Sequence, residues 1–338
     1  MKAIIFENYG APGVLKLSDV PKPVPKADEV IVNIHCTTVT SGDVRLRKAD
    51  PWLSKFIMGF PKPKKKILGV DFAGVVDSTG SSVTKFKIGD RVFGSSGFNP
   101  GTYAEFKAIS ENGIISKIPG NITFEEAAAI PFGGLTSLHF LKQAGELKGK
   151  KVLIYGASGS LGTAAVQLAK FFGAVVTGVC SSKNRELVLS LGAANVFDYN
   201  KDDFSKKGVK YDVVYDTVGK TNFENAVLSL NENGLYLRAV HFTPSPVFKA
   251  IWTELTTSKK VIGGVTKETV ENLEFIANLT SENKYKPVID RIYPFEEISA
   301  AHAYVETGRK KGNVVIVVDD DLISKASNKA GMFIPQTY

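Results

Sequence analysis

The sequence predicts an α/β protein in which a doubly wound parallel sheet is inserted into a separate, β-rich domain. Three observations carry this. Over residues 151–174 a short apolar strand runs into a glycine-rich turn and then into a helix. From Thr123 to about residue 265 strand and helix patterns alternate, as they do when helices cross over a parallel sheet. Residues 1 to about 120 show short apolar runs between turn residues with little helical periodicity, and a mixed pattern returns after Val265. The expected division is residues 1–122 and 266–338 in one domain and 123–265 in the other.

In chain order, the first strands are read at residues 3–6, 30–39, 74–77 and 91–93, with Pro21, Pro23 and Pro25 marking an extended connection. Thr123 followed by Glu126 is a capping box, so a helix starts at Phe124. A second helix, about 135–144, leads to the strand at 152–155. The helix after the turn places Leu161, Ala164, Ala165, Leu168 and Phe172 on one face. Strands follow at 175–179, 195–198, 212–216 and 235–240, with a helix at 222–230 and a closing edge strand at about 260–265. Beyond them come a helix at 268–280, a strand at 289–293, a helix at 295–306 and a last strand at 314–318. Residues 319–338 read as a peripheral tail.

The turn itself is Gly156-Ala157-Ser158-Gly159-Ser160-Leu161-Gly162. In a strand–turn–helix setting this is a dinucleotide-binding arrangement. Gly156 allows the sharp turn, Gly159 lets a pyrophosphate approach the backbone, and Gly162 lets the helix pack closely on the strand. Ser158, Ser160 and Leu161 complete the stretch whose backbone N–H groups face the phosphates.

Bulk properties bound the class. A chain of 338 residues is long enough for about two domains. Its 43% hydrophobic and 22% charged residues are ordinary for a globular protein. The net charge of +8 is spread along the chain except at Lys62, Lys64, Lys65 and Lys66. That cluster is either a solvated loop or a contact for anionic partners such as nucleic acid or lipid headgroups. It lacks the interleaved aromatics that stack bases, which argues against nucleic acid. Cys36 and Cys180 are far apart in apolar runs, with no metal-ligand spacing, and read as buried thiols of a reducing compartment. The N-terminal apolar run is too short for a signal peptide, and no segment approaches the ~18 apolar residues of a membrane span. A cytoplasmic protein is expected.

Several strings, in this order, resemble the medium-chain dehydrogenase/reductase superfamily. They are Gly69-Val-Asp-Phe-Ala-Gly74, Gly89-Asp-Arg-Val92, Gly101-Thr-Tyr-Ala-Glu105, the turn at 156–162, and Lys311-Gly-Asn-Val-Val-Ile-Val-Val318. The resemblance spans about residues 1–318 and is nearest to the zinc-free quinone oxidoreductase branch, including the chloroplast-envelope-like homologues. It implies a GroES-like β domain around an inserted Rossmann domain, with the active site in the cleft between them. The zinc alcohol dehydrogenase branch carries His-Glu where this chain has Val70-Asp71, and a cysteine near the position of Ser41. The four-cysteine lobe of that branch is missing too. Without thiolate and imidazole the expected metal set is empty, and Asp71 reads as a structural carboxylate.

At the end of the second Rossmann strand, NAD-specific sites hold a carboxylate for the ribose. Here stand Ser181, Ser182, Lys183, Asn184 and Arg185, hydroxyls and cations that suit a 2′-phosphate, so NADPH is the expected cofactor. Ordinary surface charge at a helix start is the other reading of Lys183 and Arg185. The resemblance adds Tyr199 as a phosphate contact, Thr136 near the nicotinamide, Val218, Val240 and Phe242 at strand ends along the cofactor, and Lys311 and Asn313 closing over it. His241 is either a ligand contact or a plain strand-end residue.

The family's catalytic pattern, Asn-Pro-x-Asp followed by tyrosine and arginine, corresponds here to Thr40-Ser-Gly-Asp43-Val-Arg45-Leu-Arg47. The resemblance therefore implies Thr40, Asp43 and Arg47 as catalytic candidates. Thr40 replaces the asparagine and is left to hydrogen-bond a substrate oxygen. Arg45 stands where the tyrosine is common. Asp43 and Arg47 either assist catalysis or form a structural ion pair. Residues 56–60 (Phe56, Ile57, Met58, Phe60) either line an apolar substrate pocket or cover the core. The segment 244–260, with Phe248, Ile251, Trp252 and Leu255 at helical spacing, is a cleft or dimer element or a helix packed on its own domain.

The expected activity is zinc-independent, NADPH-dependent hydride transfer to quinones or related α,β-unsaturated carbonyls. A 2-enoyl or alkenal reductase is the enzymatic alternative, and a non-catalytic NADPH-binding or RNA-binding protein the other. The edge strand at 260–265 points to a homodimer.

Overall fold

The computed structural model describes residues 1–239 and 245–319. Chain contacts divide it into two compact units. One holds Met1–Phe132, Thr269–Ser281 and the described chain from Lys286; the other holds Gly133–Glu268 and Glu282–Tyr285. The first border falls after Phe132 rather than after residue 122. The reason is the helix Phe124–Ala128, which packs on strands of the first unit.

The chain opens with an antiparallel ribbon of β1 (Lys2–Ile5) and β2 (Lys16–Asp19). Next come β3 (Glu29–Thr38), helices α1 (Ser41–Lys48) and α2 (Lys55–Met58), then β4 (Asp71–Thr79), β5 (Arg91–Ser95), β6 (Phe106–Ser110), β7 (Ile114–Lys117) and α3 (Phe124–Ala128). The capping box on α3 forms as expected: the Thr123 hydroxyl accepts from the Glu126 amide, and the Glu126 carboxylate accepts from the Thr123 amide. Helix α1 is a correction to the reading of this region as strands alone. Its start is a second capping box, Thr40 with Asp43.

The second unit begins with α4 (Thr136–Lys142) and β8 (Lys151–Tyr155), α5 (Ser160–Phe171), β9 (Val175–Cys180), α6 (Arg185–Ser190), β10 (Asn195–Asp198), β11 (Tyr211–Asp216), α7 (Phe223–Leu228), β12 (Leu230–Arg238), α8 (Ser245–Thr256) and β13 (Lys260–Gly263). Its six strands are all parallel in the order β10-β9-β8-β11-β12-β13. Residues Ser160–Ala169 of α5 are all buried, so the helix has no solvated face until its last turn. That pattern needs the small residues Gly162, Ala164, Ala165 and Ala169, which let neighbours approach on every side.

The chain then returns to the first unit with α9 (Val270–Ser281), β14 (Ile289–Pro294), α10 (Ile298–Glu306) and β15 (Asn313–Val317). The sheet order there is β14-β15-β3-β4-β5-β7, with β6 also on β3. Phe295, Ile298, Ala301, Val305 and Ile316 share one core with Phe6, Val32, Phe72 and Tyr103. The return therefore completes a hydrophobic core that the N-terminal strands leave open. Among the described residues no helix is long and apolar enough to cross a membrane, and both cysteines are free and buried.

His302 of α10 lies fully inside this core, its Nε2 3.1 Å from the Tyr103 hydroxyl. Burial, reinforced by the Arg47 guanidinium, pushes the imidazole down to about 3. The unfolded chain titrates it near the ordinary 6.5. Between those values the unfolded state binds the extra proton, so stability falls as pH drops below about 6.5. Melting temperature should therefore decline on acidification from pH 6.5, and His302→Gln, which keeps a polar group toward Tyr103, should flatten that decline. Equal acid slopes in both proteins would contradict this role for His302.

Candidate functional site

In the second unit, β8 runs into the turn at Gly156, whose φ of +82° is the left-handed conformation that glycine adopts without strain. The Gly156 and Ala157 amides bond the Val179 carbonyl at 2.9 and 3.0 Å, tying the turn to β9. At Gly162 a Cβ would lie 2.1 Å from the Gly156 carbonyl oxygen, a backbone atom that cannot yield. Close packing of helix on turn is thus the constraint at that position. Gly159 differs from both. It is the N-cap of α5 in an extended conformation that any residue adopts, and a Cβ there would meet only the Gly156 oxygen, at 3.6 Å. The space beside Gly159 is open.

The start of α5 has no side-chain cap and no acidic residue in its first turn. A helix N-terminus carries about half a positive charge, and here neither the N-cap residue, a glycine, nor a carboxylate of the first turn answers it. With the room at Gly159, this fits a pyrophosphate. Neighbours hold the element still. The Ser137 hydroxyl donates to the Leu161 carbonyl at 2.8 Å, and Thr136 is buried beside it at the head of α4. Ser160 is buried, and Ser158 accepts from the Asn184 amide group at 2.9 Å. That bond joins the glycine turn to the segment after β9.

After β9, Ser182–Asn184 forms a 3-10 turn in which Ser182 and Lys183 are exposed and Ser181 is half-buried. Asp198 of β10 pairs in register with Cys180, so the next residue, Tyr199, falls beside Ser181, and its amide bonds the Cys180 carbonyl at 3.2 Å. The Tyr199 side chain is half exposed. Strand order thus gathers Ser181, Ser182, Lys183 and Tyr199 from two segments. A cavity of about 210 Å³ beside them is lined by Ser181, Ser182, Arg185, Phe197, Asp198 and Lys201 among others.

Asp198 is the residue the sequence reading missed. A carboxylate was sought only at the end of β9, and this one arrives from the neighbouring strand. The Asn200 amide at 2.9 Å, with the Ser182 hydroxyl, holds it below the usual carboxylate range, so it is ionised. The signal was the sequence Phe197-Asp198-Tyr199 itself, once β10 is set parallel to β9. Burial pushes the Cys180 thiol up to about 11, which keeps it in the unreactive thiol form.

Asp216, fully buried at the end of β11, accepts from the Val218 and Gly219 amides at 3.0 and 2.8 Å and from Thr221 at 3.1 Å. It thereby folds the following loop over the glycine turn. The Val218 side chain comes so close that a Cβ on Gly156 would meet it at 2.7 Å. Val240, His241 and Phe242 lie outside the described residues.

The remaining candidates belong to the first unit. Lys311 is exposed, with its amide on Asp290, and the Asn313 amide group donates to the Val288 carbonyl at 3.1 Å. For Thr40, Asp43 and Arg47, the expected Asp43–Arg47 ion pair is what the structure corrects. The Thr40 hydroxyl donates to the Asp43 carboxylate at 2.6 Å and accepts from the Asp43 amide, so it is committed to the start of α1. The same carboxylate also accepts from the Thr40 and Gly69 amides. Burial raises Asp43, and these bonds oppose the rise. Arg47 does not pair with Asp43. Its guanidinium reaches the Gly10 carbonyl at 2.9 Å and Glu306 at 2.5 Å. All three residues are buried and build the junction of α1 with Gly69, Gly10 and α10. Asp71 is likewise buried, accepting from the Thr38 hydroxyl at 2.9 Å. Among the described residues no group of three or more His, Cys, Asp or Glu is arranged to hold a metal ion.

Comparison with known proteins now bears on this geometry. Residues 26–120 match the alcohol dehydrogenase GroES-like domain, and residues 191–316 match the family described as zinc-binding dehydrogenase. The chloroplast envelope quinone oxidoreductase homolog of Arabidopsis thaliana is 35% identical over 333 residues, covering 94% of this chain and 98% of that one. The chain belongs to the quinone oxidoreductase branch of the medium-chain dehydrogenase/reductase superfamily. Among solved structures, the quinone oxidoreductase from Coxiella burnetii matches with a TM-score of 0.87 and 31% identity over 94% of this chain and 99% of that one. The Escherichia coli quinone oxidoreductase complexed with NADPH matches at 0.82 and 25%, over 94% and 100%. Membership makes the protein an oxidoreductase of Rossmann and GroES-like parts.

The glycines of the turn differ enough to be tested apart. Gly159→Val should fold with a near wild-type melting temperature and fail to bind cofactor, because the branched side chain fills open space meant for phosphate. Gly162→Ala should lower the melting temperature, because its Cβ meets backbone. Calorimetric titration and thermal melts on both variants check this; full cofactor affinity in folded Gly159→Val would remove the turn from the phosphate site.

Proposed function

We propose that this oxidoreductase uses NADPH to reduce quinones or related α,β-unsaturated carbonyls, without a catalytic zinc ion. The observation that carries the reading is the uncapped start of α5 beside open space at Gly159. Ser181, Ser182, Lys183 and Tyr199, gathered at the adjoining strand ends, add the 2′-phosphate preference. Bound NADPH would supply hydride from its nicotinamide. The chain's own residues bind and orient it. The α5 amides face the pyrophosphate, the Lys183 ammonium and the serine hydroxyls take the 2′-phosphate, and Val218 packs over the turn. Thr136, carried over from the family, would lie near the nicotinamide.

The acceptor class follows from what the site lacks the means to do. With Thr40, Asp43 and Arg47 committed to α1, none of them is left to donate a proton. A quinone needs little such help, since hydride addition gives an aromatic hydroquinone anion that water can protonate. Zinc is left out of the mechanism because Val70, Asp71 and Ser41 stand at the positions where zinc-dependent relatives place imidazole and thiolate. The two buried thiols suit a reducing compartment such as the cytoplasm.

A homodimer fits the edge of the second unit. β13 ends the sheet, and α8 beside it exposes Phe248, Ile251, Trp252 and Leu255 on one face. A second copy would cover both features. Light scattering giving the mass of one 36.5 kDa chain at micromolar concentration would refute this assembly.

The activity is tested by NADPH and NADH oxidation with a water-soluble quinone in the presence of a chelator. NADPH should be preferred and chelation should leave the rate unchanged. Lys183→Ala should weaken NADPH about tenfold, roughly 1.4 kcal/mol for one exposed charged contact, and leave NADH unaffected. Equal use of both cofactors would shift the assignment to Asp198 as a ribose-binding carboxylate.

A further inference from the structure

The segment between α1 and β4 forms a knob whose residues divide sharply. Met58 is buried in the core of the first unit, and Ser54 and Pro63 are buried with it. The Lys64 and Lys65 amides bond the Met58 carbonyl at 2.7 and 3.1 Å, and the Tyr9 hydroxyl donates to the Gly59 carbonyl at 2.6 Å. The knob is therefore fastened to the domain. Its three large aromatics are not part of that fastening. Trp52, Phe56 and Phe60 are 62, 68 and 63% exposed and form a row, Trp52 meeting Phe56 edge-on and Phe56 lying nearly parallel to Phe60, with ring centroids 5.7 and 6.5 Å apart. Of the two expectations for this stretch, covering the core does not hold for Phe56 and Phe60, which are mostly exposed.

The same segment is rich in cations. Lys62 and Lys64 are exposed, and Lys55, Lys65 and Lys66 sit on the same segment. Lys65 donates to the carbonyl of Phe98, itself 68% exposed. Two acidic groups lie nearby: Glu7, paired with Lys66, and Asp50. Five lysines against two carboxylates leave the patch strongly positive. Exposed tryptophan and phenylalanine ringed by lysines suit the boundary between headgroups and acyl chains, where apolar rings enter and ammonium groups meet anionic phosphates. RNA would need bases stacked on rings that already pack against one another.

We propose that this knob docks the protein reversibly on an anionic lipid surface, with Trp52, Phe56 and Phe60 inserted and Lys62 and Lys64 on the headgroups. The inference stands apart from the hydride-transfer reading and from the cofactor.

The test is co-sedimentation of the full chain with vesicles of phosphatidylcholine containing phosphatidylglycerol, against pure phosphatidylcholine. Binding is expected on the anionic vesicles only, and it should weaken as salt rises. The aromatic variant Trp52→Ser/Phe56→Ser/Phe60→Ser should lose it. The charge variant Lys62→Ser/Lys64→Ser should bind ~25-fold more weakly, about fivefold per lysine. Both variants should keep the wild-type melting temperature and its rate with a soluble quinone. In a Trp252→Phe background, where Trp52 is the sole indole, brominated lipid should quench its fluorescence. The proposal is overturned by absence of binding, by unchanged binding in the aromatic variant, or by salt-sensitive binding to RNA with none to vesicles. An altered KM for the soluble quinone with vesicle binding intact would also overturn it, by moving the aromatics to the substrate.

Discussion

The contact between Gly162 and the Gly156 carbonyl is the constraint on which the second unit depends. Only without a Cβ can the first turn of α5 settle on the turn that follows β8. From that contact follow the burial of α5, the parallel placement of β9 beside β8, and an α5 N-terminus that begins at the carboxyl edge of the sheet. A helix end buried without partners would be costly. Leaving it uncapped beside open space makes sense when an anion completes it. The same logic explains Asp216: its carboxylate gathers three amides of the next loop and sets Val218 against the turn. The carboxylate thus shapes the loop that lies against the glycine turn.

The first unit solves a different problem, the burial of charged and polar titratable groups. Asp43, Arg47 and His302 are all inside. Each has a defined partner: the α1 cap and Gly69 for Asp43, Gly10 and Glu306 for Arg47, the Tyr103 hydroxyl for His302. Buried charge is tolerated only when hydrogen-bonded in this way. The Arg47–Glu306 pair links residues 259 positions apart, so it ties the returning C-terminal segment to the N-terminal sheet. Residues that resemble a catalytic set by position also hold together a discontinuous domain.

How legible all this was depended on whether the signal was local. The alternation of strands and helices from β8 to β12, the α3 capping box and the glycine turn are short-range patterns, and they correspond to the observed elements within a residue or two at most ends. Helix α1 was equally local, with Thr40 and Asp43 three residues apart as in any capping box, but the same two residues also match a catalytic pattern, so the spacing alone does not single out the cap. Asp198 was not local: its place beside Ser182 depends on the pairing of β10 with β9, which the sequence does not state. The exposure of Trp52, Phe56 and Phe60 is of the same kind. An apolar run looks alike whether it covers a core or faces outward, and only the burial of Met58 between them separates the two.

The most direct measurement is a crystal structure of the NADPH complex. The pyrophosphate oxygens should accept hydrogen bonds from backbone amides of the first turn of α5, in the space beside Gly159, with the 2′-phosphate within reach of Lys183. A pyrophosphate bound away from Gly159, with that turn left facing solvent, would contradict the role assigned to the uncapped helix.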